Sequence, residues 1–585
     1  MTVDLSREQG TVRKKWTGRT PVALLYPNTY PVAVSNLGMQ LVYSLLNDID
    51  EVVCERFVYP QTGGPLRSLE SNRPLADFPV VCCSVSFEDD YPRLAALLAA
   101  GEIEPFAADR PDRIAPGSPL VILGGVALFM NPEPLATFAD LVVVGEAEAV
   151  LGELMDQVLE GLATGAGRGE LLLRTARTLP GCYVPSLYSF EYDTDGRLRE
   201  IVPRPGVPAR VRRVALEKTE VAAYSRLLSP EAELGMFMTE LGRGCSRGCR
   251  FCAAGFIYRP PRRWDEETVL AGLGERPADI ERVGLLGMEM TGGETLDRIS
   301  LFLRESGCPL SFSSLRADRI SDRLLSLLAE SNLKSAAIAP DGCSERLRRV
   351  INKGLTEEDL LAAAERLVAA GIYNLKLYVM VGLPTETESD LAEMLELVDR
   401  LRERILPLGK KRRRVTQLTL SVNSFVPKPW TPFQFASFGG QEEKEAEQDR
   451  RAAGAILALR KKIGYLREGL ARVPNLRFKA DRPERVLAQA VFARGDRRLG
   501  PVLLDMGAGR LSLKKALAKH GLTPWEYAVR PRGMDELFCW EIVDHGIHRE
   551  YLRREYERSI REKETEACDP SLCRRCGVCN EQVSA

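Results

Sequence analysis

Histidine is nearly missing from this 585-residue chain: the only three are His520, His545 and His548. That scarcity excludes a histidine-based catalytic or metal centre drawn from the first five hundred or so positions. No uninterrupted apolar run of about 18 residues occurs, so no membrane-spanning helix is expected. Net charge is missing too: 80 basic residues stand against 81 acidic ones, a formal charge of -1, which gives no global pull toward nucleic acid or membrane. The opening residues Met1 to Glu8 lack the basic-then-apolar order of a secretory signal, and a soluble, cytoplasmic protein is the expectation.

Cysteine is plentiful at 14 residues. Seven of them fall in two tight groups with metal-ligand spacing, and without a secretion signal these read as thiolates rather than disulfides. Cys54, Cys82, Cys83, Cys182, Cys308, Cys343 and Cys539 are mostly scattered through apolar surroundings and read as small buried hydrophobes.

The length exceeds what one core can serve, and three or four domains are expected. The fold class read from the pattern is α/β. Residues 1–175 alternate β-branched runs with helical patterns, notably 21–26, 80–86, 120–125 and 141–145, which indicates a buried parallel sheet in a doubly wound, Rossmann-like domain. Residues 176–232 read as a small β connector, with Asp195-Gly196 at a tight turn. Strand and helix alternation returns over 233–440, with strands expected at 235–241, 282–290, 309–316, 335–340, 373–381 and 416–425. Six such units suit a partial (β/α)6 barrel, whose chemistry belongs at the carboxyl ends of the strands. Thr356, with Asp359 three residues on, is placed to cap a helix that stops at Gly371. Residues 441–585 open on a charged helix and end in a cysteine-rich tail.

Gly244-Cys245-Ser246-Arg247-Gly248-Cys249-Arg250-Phe251-Cys252 places C-x3-C-x2-C just past the first barrel strand. Three thiolates leave one iron of a four-iron cluster open to another ligand, whereas a zinc site with three would be incomplete. This spacing, with an aromatic before the third cysteine, resembles the signature of the radical S-adenosylmethionine (SAM) superfamily. The resemblance implies that Cys245, Cys249 and Cys252 hold a [4Fe-4S] cluster that cleaves SAM to a 5'-deoxyadenosyl radical, fed by an electron donor such as flavodoxin or ferredoxin. It also implies SAM contacts from Gly292, Gly293 and Glu294 to the ammonium, from Asp341 and Ser344 to the ribose, and from Gly382 and Pro384 beside the adenine.

The first domain resembles the cobalamin-binding domain found ahead of the barrel in one subgroup, on Ser84, Ser86, Gly124, Gly125, Asn131-Pro132-Glu133-Pro134 and Gly145-Glu146-Ala147-Glu148. The whole chain, including Tyr26-Pro27-Asn28 and Arg348 to Lys353, is similar to fused B12-binding-type radical SAM proteins. Without a histidine in this domain, the D-x-H-x-x-G mode of cobalt ligation is impossible. Cobalamin either binds without a protein ligand or the domain is vestigial and only docks substrate. Cys568, Cys573, Cys576 and Cys579 supply four further thiolates, for an auxiliary [4Fe-4S] cluster or for zinc. Lys410–Arg414 reads as a solvated loop. Arg259-Pro260-Pro261-Arg262-Arg263, flanked by Tyr258 and Trp264, is the candidate contact for a phosphate, the SAM carboxylate or an RNA base. The expected activity is radical modification of an unidentified substrate, with methyl transfer through cobalamin set beside methylthiolation of RNA or protein without it. A non-catalytic iron-sulfur redox or scaffold protein is the remaining reading.

Overall fold

The computed structural model describes residues 3–60, 64–287, 294–312, 315–440 and 448–579. Apolar runs form β1 (Thr20–Tyr26), β2 (Val52–Val58), β3 (Val80–Ser84), β4 (Leu120–Gly124) and β5 (Leu141–Val143), parallel and in the order β2-β1-β3-β4-β5. β3 is buried along its whole length and β4 nearly so, as strands enclosed on both faces must be. The chain leaves β1 for β2 on one side and returns to β3 on the other. That reversal makes β1/β3 a topological switch point, where open α/β sheets hold ligands at their carboxyl edge.

The first sheet does not stop at residue 175, because β6 (Cys182–Tyr183) joins β5 antiparallel. The turn ahead of it is made by Gly181 at φ +72°. A hairpin follows, β7 (Tyr188–Tyr192) and β8 (Leu198–Pro203), then β9 (Val211–Arg212).

The second unit carries β10 (Phe237–Glu240), β11 (Gly242–Arg243), β12 (Arg262–Arg263), β13 (Val283–Leu286) and β14 (Leu310–Phe312). It continues with β15 (Ser335–Asp341), β16 (Asn374–Val381), β17 (Gln417–Ser424) and β18 (Leu476–Ala480). β10-β13-β14 and β15-β16-β17-β18 are parallel sheets, bridged between Leu315 and Ile338. Six strands lie where the alternation places them. The seventh, β18, comes from beyond residue 440: Leu476, Phe478 and Ala480 alternate with Arg477 and Lys479, a half-buried edge pattern. Finally β19 (Val543–Asp544) pairs with β9 and returns the C-terminal region to the connector.

Thr356 and Asp359 form a reciprocal capping box on the helix Glu357–Ala369. The charged helix spans Gln448–Leu470; the part expected over 441–447 lies outside the described residues. The seven scattered cysteines are all buried. Among the described residues no helix is long and apolar enough to cross a membrane.

Candidate cluster site and the adjoining cavity

Cys245, Cys249 and Cys252 sit on an excursion between β11 and β12, which pair antiparallel and close its base. Two glycines make that closure possible. A Cβ on Gly242 (φ +145°) would lie 2.3 Å from the carbonyl oxygen of Arg262, and one on Gly244 (φ +89°) 2.8 Å from that of Tyr258. Burial pushes the Cys249 thiol up to about 12, Lys353 opposes, and Cys252, Asp341 and Cys245 add to the rise. Cys252 is raised by burial and again by Cys245 and Asp341. The three thiols therefore stand in one another's field, and the donor set fits a cationic iron cluster that would keep them ionised. Among the described residues no three His, Cys, Asp or Glu side chains close up as the cage of a single metal ion; a four-iron cluster holds its thiolates farther apart than one ion does.

Asp341 ends β15 after a register shift and adopts φ +62°. Its carboxylate accepts from Lys353 Nζ at 2.5 Å, facing the same thiols. Ser344 is not open to a ribose: its Oγ accepts the Leu347 N–H at 3.0 Å as a helix cap and donates to Asp390 at 2.5 Å, fully buried. Helix-start geometry has claimed this serine. Gly382 (φ +82°) opens a turn that Glu386 closes by accepting the N–H groups of Gly382 (2.6 Å) and Leu383 (3.0 Å), and Pro384 lies within that turn. A Cβ on Gly382 would lie 2.6 Å from Leu459, so close packing of the helix Gln448–Leu470 also requires this glycine. Gly292 and Gly293 lie outside the described residues, and Glu294 enters only as the first residue of the helix Glu294–Glu305.

The cysteine tail returns to the cluster loop. Cys568 donates its N–H to the Ser246 carbonyl at 2.7 Å. Asn352 (φ +56°) joins the two segments: its Nδ2 lies 3.3 Å from the carbonyls of Arg247 and Gly248 and 3.1 Å from that of Thr565, and its Oδ1 accepts the Thr565 N–H at 2.8 Å. The Arg250 guanidinium is buried between the Val350 carbonyl (2.9 Å), the Lys563 carbonyl (2.6 Å) and Glu555 (3.1 Å). Arg259, 3% exposed, stacks 5.2 Å from the Tyr551 ring centroid and is raised, against burial, by Tyr551 and Cys576. The Cys573 thiol is lowered even though burial opposes it, because the Arg575 N–H and guanidinium donate to it; that Nε lies 3.3 Å from the sulfur.

These contacts revise the basic segment. Arg259 is buried, Trp264 is 6% exposed, and Arg262 is bound to Glu146 at 2.5 Å, which leaves Arg263 as the exposed arginine of the segment. Lys410 to Arg414 are exposed, but only Arg412 to Arg414 form a loop: Lys410 and Lys411 close the last turn of the helix Glu388–Lys411, where cations complement the helix dipole.

A cavity of about 500 Å³ opens at the carboxyl edge of the first sheet, against the barrel. Ser84, Ser86, Gly124 and Gly125 line it, with Gly242 and Arg243 from the foot of the cluster loop. The four residues expected from the sequence thus come together. Gly125 (φ +114°) has a structural reason of its own: a Cβ there would lie 2.3 Å from the Val85 carbonyl oxygen. The charged rim was not foreseen. Arg243 donates to Glu146 (2.9 Å), Glu148 (2.6 Å) and Glu240 (3.0 Å), and Glu146 also accepts the Leu216 N–H at 2.8 Å. Burial pushes the Glu146 carboxyl up, and Arg262 and Arg243 more than reverse it. His545, remote in sequence, meets the carbonyl of the cavity-lining Phe129 at 2.8 Å. Its ring lies behind the wall, and no histidine is among the lining residues.

A parallel sheet with a cavity at its switch-point edge faces a barrel whose mouth carries a cysteine triplet, a two-unit α/β architecture with three thiols placed to hold a cluster. Residues 38–185 match the profile described as "Radical SAM proteins, N-terminal" and residues 239–398 that of "Radical SAM superfamily", together just over half of the chain. The chain belongs to the radical SAM superfamily and is a radical SAM enzyme, which implies a [4Fe-4S] cluster and SAM. It is similar to an uncharacterised protein of Methanocaldococcus jannaschii, 27% identical over 86% of this chain and 94% of the relative. An uncharacterised methyltransferase of Pyrococcus horikoshii is 22% identical over 48% of this chain and 58% of its own length. A solved structure of the radical SAM methyltransferase TsrM from Kitasatospora setae, with cobalamin and a [4Fe-4S] cluster bound, aligns at TM-score 0.46 and 15% identity, covering 74% of this chain and 79% of that one.

Proposed function

We propose that the protein is a cobalamin-dependent radical SAM methyltransferase, with its cluster on Cys245, Cys249 and Cys252 and cobalamin in the 500 Å³ cavity. The observation that carries this reading is the shared wall: Gly242 and Arg243 line the cavity and lead directly into Cys245. When bound, the cluster supplies one electron that splits SAM into methionine and a 5'-deoxyadenosyl radical, and cobalamin supplies a methyl carrier.

The chain's own residues hold and orient. Asp341, at the carboxyl end of β15, keeps a carboxylate beside the thiols and is itself fixed by Lys353, while the buried turn at Gly382 to Pro384, its two N–H groups already held by Glu386, shapes the end of β16. The Glu146–Arg243–Arg262 rim locks the two units so that cavity and loop keep one geometry. With no histidine among its lining residues, the cavity would hold cobalamin by apolar contact and by the backbone at Ser84 and Gly124.

A second reading is favoured by the tail. Four cysteines docked on the cluster loop suit an auxiliary [4Fe-4S] cluster in a two-cluster modification enzyme without cobalamin, such as one acting on RNA. Cys568 and Cys573 are partly exposed, the side from which a flavodoxin or ferredoxin would deliver electrons. Anaerobic reconstitution with iron, sulfide and excess cobalamin separates the readings. One cobalt per chain supports the first, with about four iron if the tail takes zinc and about eight if it takes a cluster; about eight iron without cobalt overturn it in favour of the second.

A further inference from the structure

A smaller cavity of about 40 Å³ lies far along the chain from the cluster loop, between the turn of the β7–β8 hairpin and the segment Trp525–Trp540. Its wall holds more positive charge than it can neutralise. Arg494, the last residue of the helix Pro483–Arg494, is 1% exposed. One of its nitrogens, Nη1, donates to the Ala436 carbonyl at 2.8 Å, while Nε and Nη2 are buried without a partner. Arg532 is in the same condition: Nη1 reaches Glu536 at 3.0 Å and Nη2 the Tyr527 carbonyl at 3.3 Å, and Nε has no partner.

The acidic groups on this wall are largely committed. Asp496 is held by Arg498 at 2.7 Å, Asp195 by Arg197 at 3.1 Å, and Glu526 accepts the Thr523 N–H at 2.9 Å. Glu536 alone is left to face Arg494, Arg530 and Arg532, and Arg530 already grips it through two nitrogens. Burial, joined by repulsion from Arg532 and Arg530, pulls Arg494 well below the usual guanidinium value, and Glu536 only partly opposes it. Uncompensated buried charge of this kind is among the costliest features a fold can carry, and a charge-assisted hydrogen bond to an anion is what relieves it.

We infer that this cavity is a binding site for a small oxyanion of phosphate size, held by the unpartnered Nε and Nη2 of Arg494 and Nε of Arg532. The free volume suits such an ion, since a single water needs about 10–15 Å³ on this scale, and it excludes a whole nucleotide. A bound anion would tie the end of the helix Pro483–Arg494 to the Arg530–Glu536 turn. None of these residues belongs to the cluster loop or the larger cavity, so the site is independent of the proposed reaction.

The test is calorimetric titration of the reconstituted, SAM-saturated full-length protein with inorganic phosphate, with sulfate, and with chloride at matched ionic strength. Glycerol phosphate serves as a separate arm for a phosphate carried on a larger molecule. Saturable binding of phosphate or sulfate to one site, absent with chloride and weakened at least tenfold in Arg494→Met, is the expected result; binding of glycerol phosphate as tight as that of phosphate assigns the oxyanion to a phosphate carried on a larger ligand. Arg494→Met should fold, because it replaces a buried charge by an apolar chain of similar length; Arg532→Met provides the same readout should it not. No saturable heat with either oxyanion, or full wild-type affinity retained in both variants, overturns the inference.

Discussion

Replacing Asn352 with alanine should unfasten the cysteine tail from the cluster loop while leaving the barrel folded. The amide has two protons for three carbonyls, those of Arg247, Gly248 and Thr565, so at most two full bonds are donated, and a third is accepted from the Thr565 N–H. At about 1 kcal/mol each these bonds bring roughly 3 kcal/mol to the junction. Alanine adds a further cost of about 1 kcal/mol, because φ at this position is +56°, a region that asparagine tolerates and alanine does not. Asn352→Gly removes the bonds without the strain and isolates their share. Hydrogen exchange of the reconstituted protein reads the coupling at the Thr565 and Cys568 amides, which are bonded to Asn352 and Ser246. Roughly 3 kcal/mol corresponds to exchange about 100-fold faster in Asn352→Gly, and faster still in Asn352→Ala. Protection unchanged at both amides in both variants would refute the reasoning, since the clasp would then not be what holds the tail.

Two neighbouring glycines on the cavity edge should respond differently in thermal denaturation. Gly124→Ala, whose Cβ meets only Val143 at 3.8 Å, should stay within about 0.5 kcal/mol of wild type, whereas Gly125→Ala, with Val85 oxygen at 2.3 Å, should cost about 2–4 kcal/mol. Val42→Trp, which fills the cavity from the helix Leu37–Asp48, should abolish cobalt retention and leave the iron content intact, as elemental analysis would show. Glu146→Ala strips Arg243 and Arg262 of their shared carboxylate and should destabilise by about 3 kcal/mol in urea, less than the extreme for a buried pair because Arg243 keeps Glu148 and Glu240. Burial raises Asp90 to about 6, against Arg93, so the folded state binds this proton more tightly than the unfolded chain. Wild type should therefore lose stability relative to Asp90→Asn as pH rises from 4 to 7, in urea titrations at each pH; a gap that widens as pH falls would contradict the assignment.

How much of this was legible in the sequence depended on how locally each signal is written. The cysteine triplet spans eight residues, and its spacing alone places it in a loop after a strand. The parallel strands announced themselves as apolar runs, and Thr356 with Asp359 as a capping box. β6 is two residues long, too short for any periodicity, and β18 carried a clean alternation at Leu476–Ala480 that lies outside the expected barrel. Ser344 shows where a local motif misleads, because a serine opening a helix caps it before it serves a ligand. The return of the tail to Ser246, the grip of Glu146 on Arg243 and Arg262, and the approach of His545 to Phe129 join residues 97 to 416 positions apart. Nothing in a single sequence encodes such pairings, since they arise only when the two units dock.

The most direct test of the account is release of 5'-deoxyadenosine from SAM by the anaerobically reconstituted protein under a strong reductant, measured alongside Cys249→Ala matched for whatever metal the cysteine tail retains. The account predicts release by wild type and its loss in the variant. Wild type carrying its full iron yet releasing none, or a Cys249→Ala protein that releases it at the wild-type rate, would contradict the assignment of Cys245, Cys249 and Cys252 as the centre of the chemistry.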